Sequence, residues 1–350
     1  LEADLAASSS ALALSGLLLE QGGARAQGQA RLTLENWKLA RTGPASGAFE
    51  VRGLSLERAL AEAGRKEPLG GTVAGSLQLG GTPAELEIGA KLVVKAASFR
   101  GQPVDEVRVR GRYSARSLLV ESLEADAGPA RVRASGVYTH RETDWRAGSL
   151  RFEASGKGVR VADLRAVSPL PEELGGTLDV QLTGTGTVEG GRLLLAGLSG
   201  KGSFRKATWE GKAAGDLQFT AESRNGEMTL TATGAVLGSE VRAEGNLTLR
   251  DKYPYRGRLT FSRTSLSEVR PWFGAAAALP PVEATADGAV YVTGSALEPG
   301  GWTAQVELPG VEILPPPDTK AQGLGLRNVG LVVLSVNRKS VRIVSASFTG

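Results

Sequence analysis

Residues 241–249 read Val-Arg-Ala-Glu-Gly-Asn-Leu-Thr-Leu, and apolar or small residues alternate with polar ones along the whole segment. Successive side chains of a β-strand point to opposite faces, so this pattern predicts a strand with one apolar face and one wet face. The same alternation occurs at 107–113, 177–183 and 302–308. Parallel sheets need continuous apolar runs and long helices between strands, and the sequence has neither. It therefore predicts an all-β fold built from antiparallel sheet.

The chain repeats itself with a period of about 108 residues. The phrase Ala-Arg-Ala-Gln-Gly ends at Gly28, and related phrases end at Gly136 and Gly245. A second phrase, of the type Leu-Gln-Leu-Gly-Gly-Thr, keeps the same order at nearly the same interval, at 77–82, 180–185 and 290–295. Two independent phrases in the same order indicate a repeat architecture rather than chance.

Each copy of the second phrase is preceded by a short segment in which apolar residues have helical spacing. These segments start near Leu56, Val161 and Leu266 and extend toward Val167 and Trp272 in the later copies. Each repeat is therefore predicted to hold one brief helix or turn and several strands. The predicted domains are a truncated repeat at 1–52, β-groove repeats at 53–160 and 161–264, and an incomplete repeat at 265–350. Both termini are expected to be cut points in a longer protein.

The composition argues against several kinds of chemistry. The chain has no Cys, which excludes disulfides and thiolate ligands, and its single histidine, His140, cannot form a histidine cluster for a metal. His140 lies in the polar stretch 139–144 and is predicted to be an ordinary turn residue. Glu172 and Glu173 follow a proline at a turn, a favourable place for acids near a helix start. We expect no enzymatic activity, no cofactor and no metal site.

The net charge of +4 is scattered along the chain rather than gathered into blocks. No run of Lys or Arg is interleaved with stacking aromatic residues, as binding of single-stranded nucleic acid would require. The charges therefore favour a solvated face, and no nucleic-acid partner is expected. The apolar run 11–19 follows two acids and is too short to cross a bilayer, so it is not predicted to be a signal peptide or a membrane span.

The apolar faces consist mostly of small aliphatic residues with few aromatic ones. Such a lining suits an apolar groove for acyl chains, and it equally suits a closely packed sandwich in which a second sheet covers the apolar face. The predicted lining residues of the groove are Val107, Val109, Val132, Ala134, Leu178, Val180, Leu182, Val241, Ala243, Leu247, Trp302 and Val306.

The segment 169–185, Pro-Leu-Pro-Glu-Glu-Leu-Gly-Gly-Thr-Leu-Asp-Val-Gln-Leu-Thr-Gly-Thr, resembles the AsmA-like and TamB-like envelope proteins, as do the strand phrases at 98–101 and 132–136. The resemblance covers essentially the whole chain in about three and a quarter copies. It implies an elongated, twisted antiparallel sheet that forms an open groove, a β-taco. It also implies a periplasmic protein of the bacterial cell envelope, anchored in the inner membrane by a segment outside this chain.

The function implied by the resemblance is carriage of phospholipid acyl chains between the inner and outer membrane, or support of outer-membrane assembly. Expected partners are phospholipid acyl chains, together with membranes or envelope proteins reached through parts outside this chain. Two alternatives share the same features: an adhesin-like stalk of closed sandwiches, and a scaffold that assembles outer-membrane proteins by strand addition. An interior open along its length would favour lipid carriage, whereas one closed in each unit would favour the stalk.

Overall fold

The computed structural model describes residues 2–65, 67–141, 144–165, 170, 172–249, 252–269, 282–314 and 325–350. These residues contain 23 strands and three short helices, so the predicted all-β antiparallel fold is confirmed. The chain divides into two compact units. The first comprises Leu1–Val159, Asp163–Pro169 and Thr183–Leu193, and the second comprises Arg160–Ala162, Leu170–Leu182 and Leu194–Gly350.

The first unit is an antiparallel sheet in which successive strands along the chain are neighbours. Its strands are β1 (Glu2–Ala7), β2 (Ala11–Gln21), β3 (Ala24–Glu35), β4 (Lys38–Leu39), β5 (Ala45–Ser55), β6 (Leu69–Gly81), β7 (Leu86–Phe99), β8 (Gln102–Ser114), β9 (Ser117–Ala127), β10 (Ala130–Arg141) and β11 (Asp144–Arg160). The short β4 pairs only with the end of β3, and β3 continues the sheet by pairing with β5. β1 forms an edge, with β2 as its partner among the described residues.

The second unit has the same organisation. Two further strands, β12 (Leu174–Glu189) and β13 (Arg192–Trp209), contribute residues to both units, as does β11 through its last residue, Arg160. The remaining strands are β14 (Lys212–Arg224), β15 (Glu227–Val236), β16 (Ser239–Thr248), β17 (Pro254–Ser265), β18 (Glu283–Ser295), β19 (Glu298–Leu314), β20 (Leu326–Asn328), β21 (Val332–Asn337), β22 (Ser340–Ser345) and β23 (Phe348–Thr349). Strands β13 to β19 pair in order, and β19 then pairs with β20 and β21.

Three short helices punctuate the strands at a regular interval. They are α1 (Leu56–Glu62), α2 (Val161–Leu164) and α3 (Leu266–Val269), and they begin 105 residues apart. Each directly follows a long strand, and six strands lie between one helix and the next. The predicted short helix of each repeat is thus confirmed, although Val167 and Trp272 lie outside the described residues. The domain boundaries drawn from the sequence remain predictions.

The first helix is fixed at its start by hydrogen bonds. Ser55 caps α1, and its hydroxyl oxygen accepts a hydrogen bond from the Arg58 N–H at 3.3 Å. A Glu57 carboxylate oxygen accepts one from the Gly71 N–H at 3.2 Å and so joins α1 to the beginning of β6. Among the described residues the longest helix has seven residues, and none has the length and hydropathy needed to cross a membrane.

The Asn-Gly pair at 225–226 is typical of a two-residue hairpin turn and forms one, whereas the turn prediction for His140 is wrong. Asn225 and Gly226 form the two-residue turn between β14 and β15, with positive φ angles of 54° and 77°. His140, by contrast, is not a turn residue. It belongs to β10, its side chain is buried, and its N–H donates to the carbonyl oxygen of Arg116.

The core of the described part is thin. Its buried apolar residues are mostly Ala and Val, and no large side chain is less than 2% exposed. The accessible surface is 22552 Å², whereas a compact monomer of 36.3 kDa exposes about 13,400 Å². The small buried side chains and the large accessible surface together show that little apolar side-chain volume is fully buried.

Candidate functional site

The two faces of the strands differ as the alternation predicts. On β16, Val241 is buried and Ala243 and Leu247 are half-buried, whereas the intervening Arg242 and Glu244 are exposed. Because pairing registers align apolar residues of neighbouring strands, each unit presents a continuous apolar face.

An unbroken lane of uncharged residues crosses nine strands of the first unit. Each member stands directly opposite the next across a strand ladder. We call it the first lane, and it consists of Leu19, Ala26, Val51, Gly75, Leu92, Val109, Leu123, Ala134 and Ala154.

The second unit carries a lane of the same width. It also crosses nine strands and contains no charged residue. This second lane consists of Gly202, Phe219, Ala232, Ala243, Leu259, Val290, Val306, Leu334 and Ile343.

The lanes are partly open to solvent even far from the sheet edges. Leu19 and Ile343 are exposed at the outer ends, and every other lane residue is half-buried. Val109, for example, lies several strands from the β1 edge and is still half-buried. In a sandwich, a second sheet about 10 Å away would bury such central residues. The faces are thus apolar surfaces without a full second layer among the described residues.

Four predicted lining residues meet in the first unit. Val109 and Ala134 lie in the first lane, on either side of Leu123. Val107 and Val132 form an adjacent row, on either side of Ala125. Val132 is the most open of the four, with 36% of its surface exposed.

The remaining predicted lining residues lie on three strands. Ala243 and Val306 belong to the second lane and are joined by two residues between them, Leu259 and Val290. On the same face of β16, Val241 lies one row from Ala243 and Leu247 lies two rows away on the other side, and Trp302 is half-buried on β19. Leu178, Val180 and Leu182 are half-buried on β12.

Close approaches between glycine and phenylalanine keep the apolar face smooth. Gly28 stands opposite Phe49, and a Cβ at Gly28 would lie 2.4 Å from the Phe49 ring and 2.7 Å from the backbone oxygen of Ala48. In the second unit, a Cβ at Gly202 would lie 2.6 Å from Phe219. Each ring therefore occupies the space that a side chain on the neighbouring strand would take.

The opposite face carries ion pairs between strands. Arg108 lies 2.6 Å from Glu106, 3.3 Å from Glu124 and 3.6 Å from Asp126. Hydrogen bonding to Glu106 and its negative charge raise the pKa of Arg108. Arg133 extends the series to the next strand through Glu124. These exposed charges keep this face in water and confine apolar contacts to the other face.

Sequence reasoning missed lane residues on the strands between those it named. Leu92, Leu123, Leu259 and Val290 follow the same alternation, so the same signal could have found them. Their alignment into lanes depends on cross-strand register, which alternation within one strand does not specify.

The described residues hold no group of three His, Cys, Asp or Glu side chains that could bind a metal ion. The candidate site is therefore a surface defined by shape and apolarity rather than by a cluster of reactive groups. No family model matches the chain, and no curated protein or solved structure matches it either.

Proposed function

We propose that the apolar face of each unit binds the acyl chains of phospholipids and shields them from water, while the headgroups stay in solvent. Because the repeat phrases resemble those of AsmA-like and TamB-like proteins, we assign the chain to the periplasm of a bacterial envelope. There it forms part of a longer protein that carries lipid between the inner and outer membrane. Anchoring and membrane contacts belong to parts outside this chain.

The observation that carries this proposal is the pair of uncharged lanes, each nine strands wide and half-open to solvent. Large exposed apolar surfaces are rare on soluble monomers and mark sites of interaction with apolar partners. A row built only of Gly, Ala, Val, Leu, Ile and Phe offers contact along its whole length and no group that would prefer water. An extended hydrocarbon chain is the partner that such a surface fits.

The free energy of exposing a lipid tail to water is large enough that transfer between membranes requires a protein surface that shields the tail. A lipid tail of about 16 methylene groups loses on the order of 13 kcal/mol on entering water, at ~0.8 kcal/mol for each group. A half-open apolar lane removes only part of that cost, since one side of the tail still meets solvent or a second tail. Even partial shielding lowers the barrier to transfer by several factors of ten, because about 1.4 kcal/mol corresponds to one factor of ten.

The lanes are long enough for whole acyl chains. Nine strands spaced about 4.8 Å apart give each lane a path of about 38 Å. One leaflet of a bilayer has a hydrocarbon depth of about 15 Å, half of the ~30 Å core. A lane can therefore hold more than one tail end to end, and a tail can slide along it without meeting a charged side chain.

The half-buried lanes favour this proposal over a stalk of closed sandwiches. A stalk gains nothing from leaving Val109 or Leu259 open to solvent, because closing a second layer over them would stabilise it. A scaffold for strand addition would depend on backbone edges and would be indifferent to the composition of the lanes.

Native mass spectrometry of the purified chain tests the proposal by detecting co-purified phospholipid. We compare Ala232→Asp, which places a charge in the second lane, with Thr233→Asp, which places it on the polar face opposite Arg242. Retention of lipid should fall strongly in Ala232→Asp and stay unchanged in Thr233→Asp. Absence of lipid from the unchanged chain after exposure to phospholipid vesicles, or equal retention by the two variants, would overturn the proposal.

A further inference from the structure

Four aromatic side chains meet at one strand-end edge of the first unit, the edge opposite α1. Tyr113 lies at the end of β8, Tyr138 and His140 at the end of β10, and Trp145 at the start of β11. The Trp145 ring centroid is 5.4 Å from that of Tyr113, 6.1 Å from that of Tyr138 and 4.0 Å from that of His140. We call these four residues the aromatic cluster.

The aromatic cluster borders the apolar face. Tyr113 and Tyr138 stand on either side of Leu118, and Tyr138 also stands opposite Leu150. This row runs alongside the first lane at the ends of the strands. Tyr and Trp suit a boundary at which one side is apolar and the other is wet, because each has a large ring and one polar group.

His140 holds a buried hydrogen-bond acceptor within the cluster. Its side chain is 6% exposed, and Nδ1 lies 2.7 Å from the carbonyl oxygen of Arg141. A carbonyl oxygen can only accept, so Nδ1 carries the proton of the neutral ring, and in that tautomer Nε2 is an acceptor. Nε2 is buried and has no hydrogen-bond partner within the described part of the chain. Such an unpaired group is unfavourable, and a ligand that donates a hydrogen bond would satisfy it.

We propose that the aromatic cluster is a headgroup site for a phospholipid with a primary ammonium, of the ethanolamine type, whose tails lie on the apolar face. This inference rests on the proposed function. The ammonium donates a hydrogen bond to His140 Nε2 and is attracted by the negative ring face of Tyr138. Trp145 is 45% exposed and covers the imidazole, so its displacement opens the nitrogen to the headgroup.

Two exposed arginines lie next to the aromatic cluster in the sequence. Arg141 and Arg146 follow His140 and Trp145 directly in sequence, and both are exposed. The acid described at this turn, Asp144, accepts a hydrogen bond from the Arg146 N–H at 2.8 Å. The cluster itself offers a buried acceptor and aromatic ring surface to an ammonium group. This combination fits the ammonium of an ethanolamine headgroup.

The single histidine of the chain makes the site directly observable. With ¹⁵N-labelled histidine, the Nε2 signal should shift when phosphatidylethanolamine binds. It should stay in place with phosphatidylcholine, whose quaternary ammonium has no N–H, and with phosphatidylglycerol, which has no ammonium. O-phosphoethanolamine without tails should leave it unmoved. An equal shift with all three bound lipids, or no shift with any of them, would overturn the headgroup site while leaving the proposed function intact.

Competition between lipids, measured by native mass spectrometry, gives the preference of the chain for one headgroup over another. We expect the chain to retain phosphatidylethanolamine about threefold to tenfold over phosphatidylcholine. His140→Phe keeps an aromatic ring and removes the acceptor, so this preference should disappear while total lipid stays the same. Tyr291→Leu, which removes an exposed aromatic ring near Arg258 in the second unit, is the matched control and should keep the preference.

The two proposals fail in distinguishable ways. Retention of lipid without headgroup preference overturns the aromatic cluster as a site and leaves the apolar face standing. Absence of any bound lipid overturns both. If His140→Phe does not fold, the ¹⁵N signal of the unchanged chain decides the question.

Discussion

Val109 and Leu123 stand directly opposite each other on β8 and β9, in the middle of the first lane. Directly opposed side chains on one face of an antiparallel pair interact by about 0.2–1 kcal/mol relative to alanine. We therefore expect a double-mutant cycle of Val109→Ala and Leu123→Ala, measured by urea unfolding, to give a coupling energy in that range. Leu77 lies on β6, two strands from Val109, so Val109→Ala and Leu77→Ala should be additive. Equal coupling in the two cycles would contradict the register.

Gly28→Ala should destabilise the first unit. The added methyl group would meet both the Phe49 ring and the backbone oxygen of Ala48, which cannot move without disturbing the ladder. Forcing a group into such a contact costs about 1–3 kcal/mol. Gly89→Ala is the matched control, because a Cβ there meets nothing within 4 Å. In urea unfolding, the free energy of unfolding of Gly89→Ala should lie within about 0.5 kcal/mol of that of the unchanged chain. A similar loss in both variants would mean that Phe49 does not occupy the space beside Gly28.

The alternation of residue types was sufficient to predict the faces. The side chains of Val107 and Val109 point to the apolar face and that of Arg108 to the polar face, because side chains alternate along a strand. The opposite arrangement would place an unpaired charge on the apolar face, which is unfavourable. The Asn225-Gly226 turn was equally predictable, since both of its residues must adopt positive φ.

The lanes could not be predicted from the sequence. The register between strands depends on β-bulges, and the residue pattern does not reveal where these bulges lie. Arg110 stands opposite Ser122, but the next residue, Gly111, stands opposite Val120, so Glu121 is the extra residue of a bulge. A slip of one residue would move every later side chain to the other face. The alternation of residues within one strand does not specify its register with the neighbouring strand.

His140 shows a second limit of sequence reasoning. Its polar neighbours at 139–144 are typical of a turn, yet β10 continues to Arg141. The strand continues because the His140 N–H donates to the Arg116 carbonyl and the ring lies against Trp145, contacts made by residues outside that stretch.

Acid should weaken the attachment of α1 to β6. Hydrogen bonds from its own backbone N–H, from the Ser55 hydroxyl and from the Gly71 N–H hold the pKa of Glu57 below its ordinary value of 4.5. A carboxyl group with a lowered folded-state pKa contributes stability that is complete above its unfolded-state pKa. That contribution is lost as the pH falls through the folded-state pKa.

Hydrogen exchange at the Gly71 amide measures this attachment locally. At pH 7, Glu57→Gln should speed exchange at Gly71 relative to the unchanged chain, because the carboxylate acceptor is gone. As the pH falls progressively below 4.5, the gap between the two chains should narrow, once exchange is corrected for its intrinsic dependence on pH. Glu62→Gln, at an exposed position of the same helix, should change neither the exchange rate at Gly71 at pH 7 nor its dependence on pH. A gap that persists undiminished in acid would show that the charge of Glu57 is not what fixes the amide.

Neighbouring residues Val107 and Arg108 offer a direct comparison of the two faces. Val107 lies between Val94 and Ala125 on the apolar face, whereas Arg108 is paired with three acids on the polar face. Val107→Asn brings an amide onto the apolar face, and an amide without a full set of partners there costs about 1–3 kcal/mol. Arg108→Gln removes exposed ion pairs, which contribute little and are screened by salt.

We therefore expect the urea midpoint to fall more in Val107→Asn than in Arg108→Gln. Raising the NaCl concentration from about 0.05 M to about 1 M should shrink the effect of Arg108→Gln, since the screening length drops to about 3 Å. The effect of Val107→Asn should persist in high salt, because it does not depend on charge. If bound lipid is followed in the same samples, only Val107→Asn should lower it. Loss of lipid in Arg108→Gln would mean that the polar face also takes part in binding, and that the apolar lanes alone do not define the site.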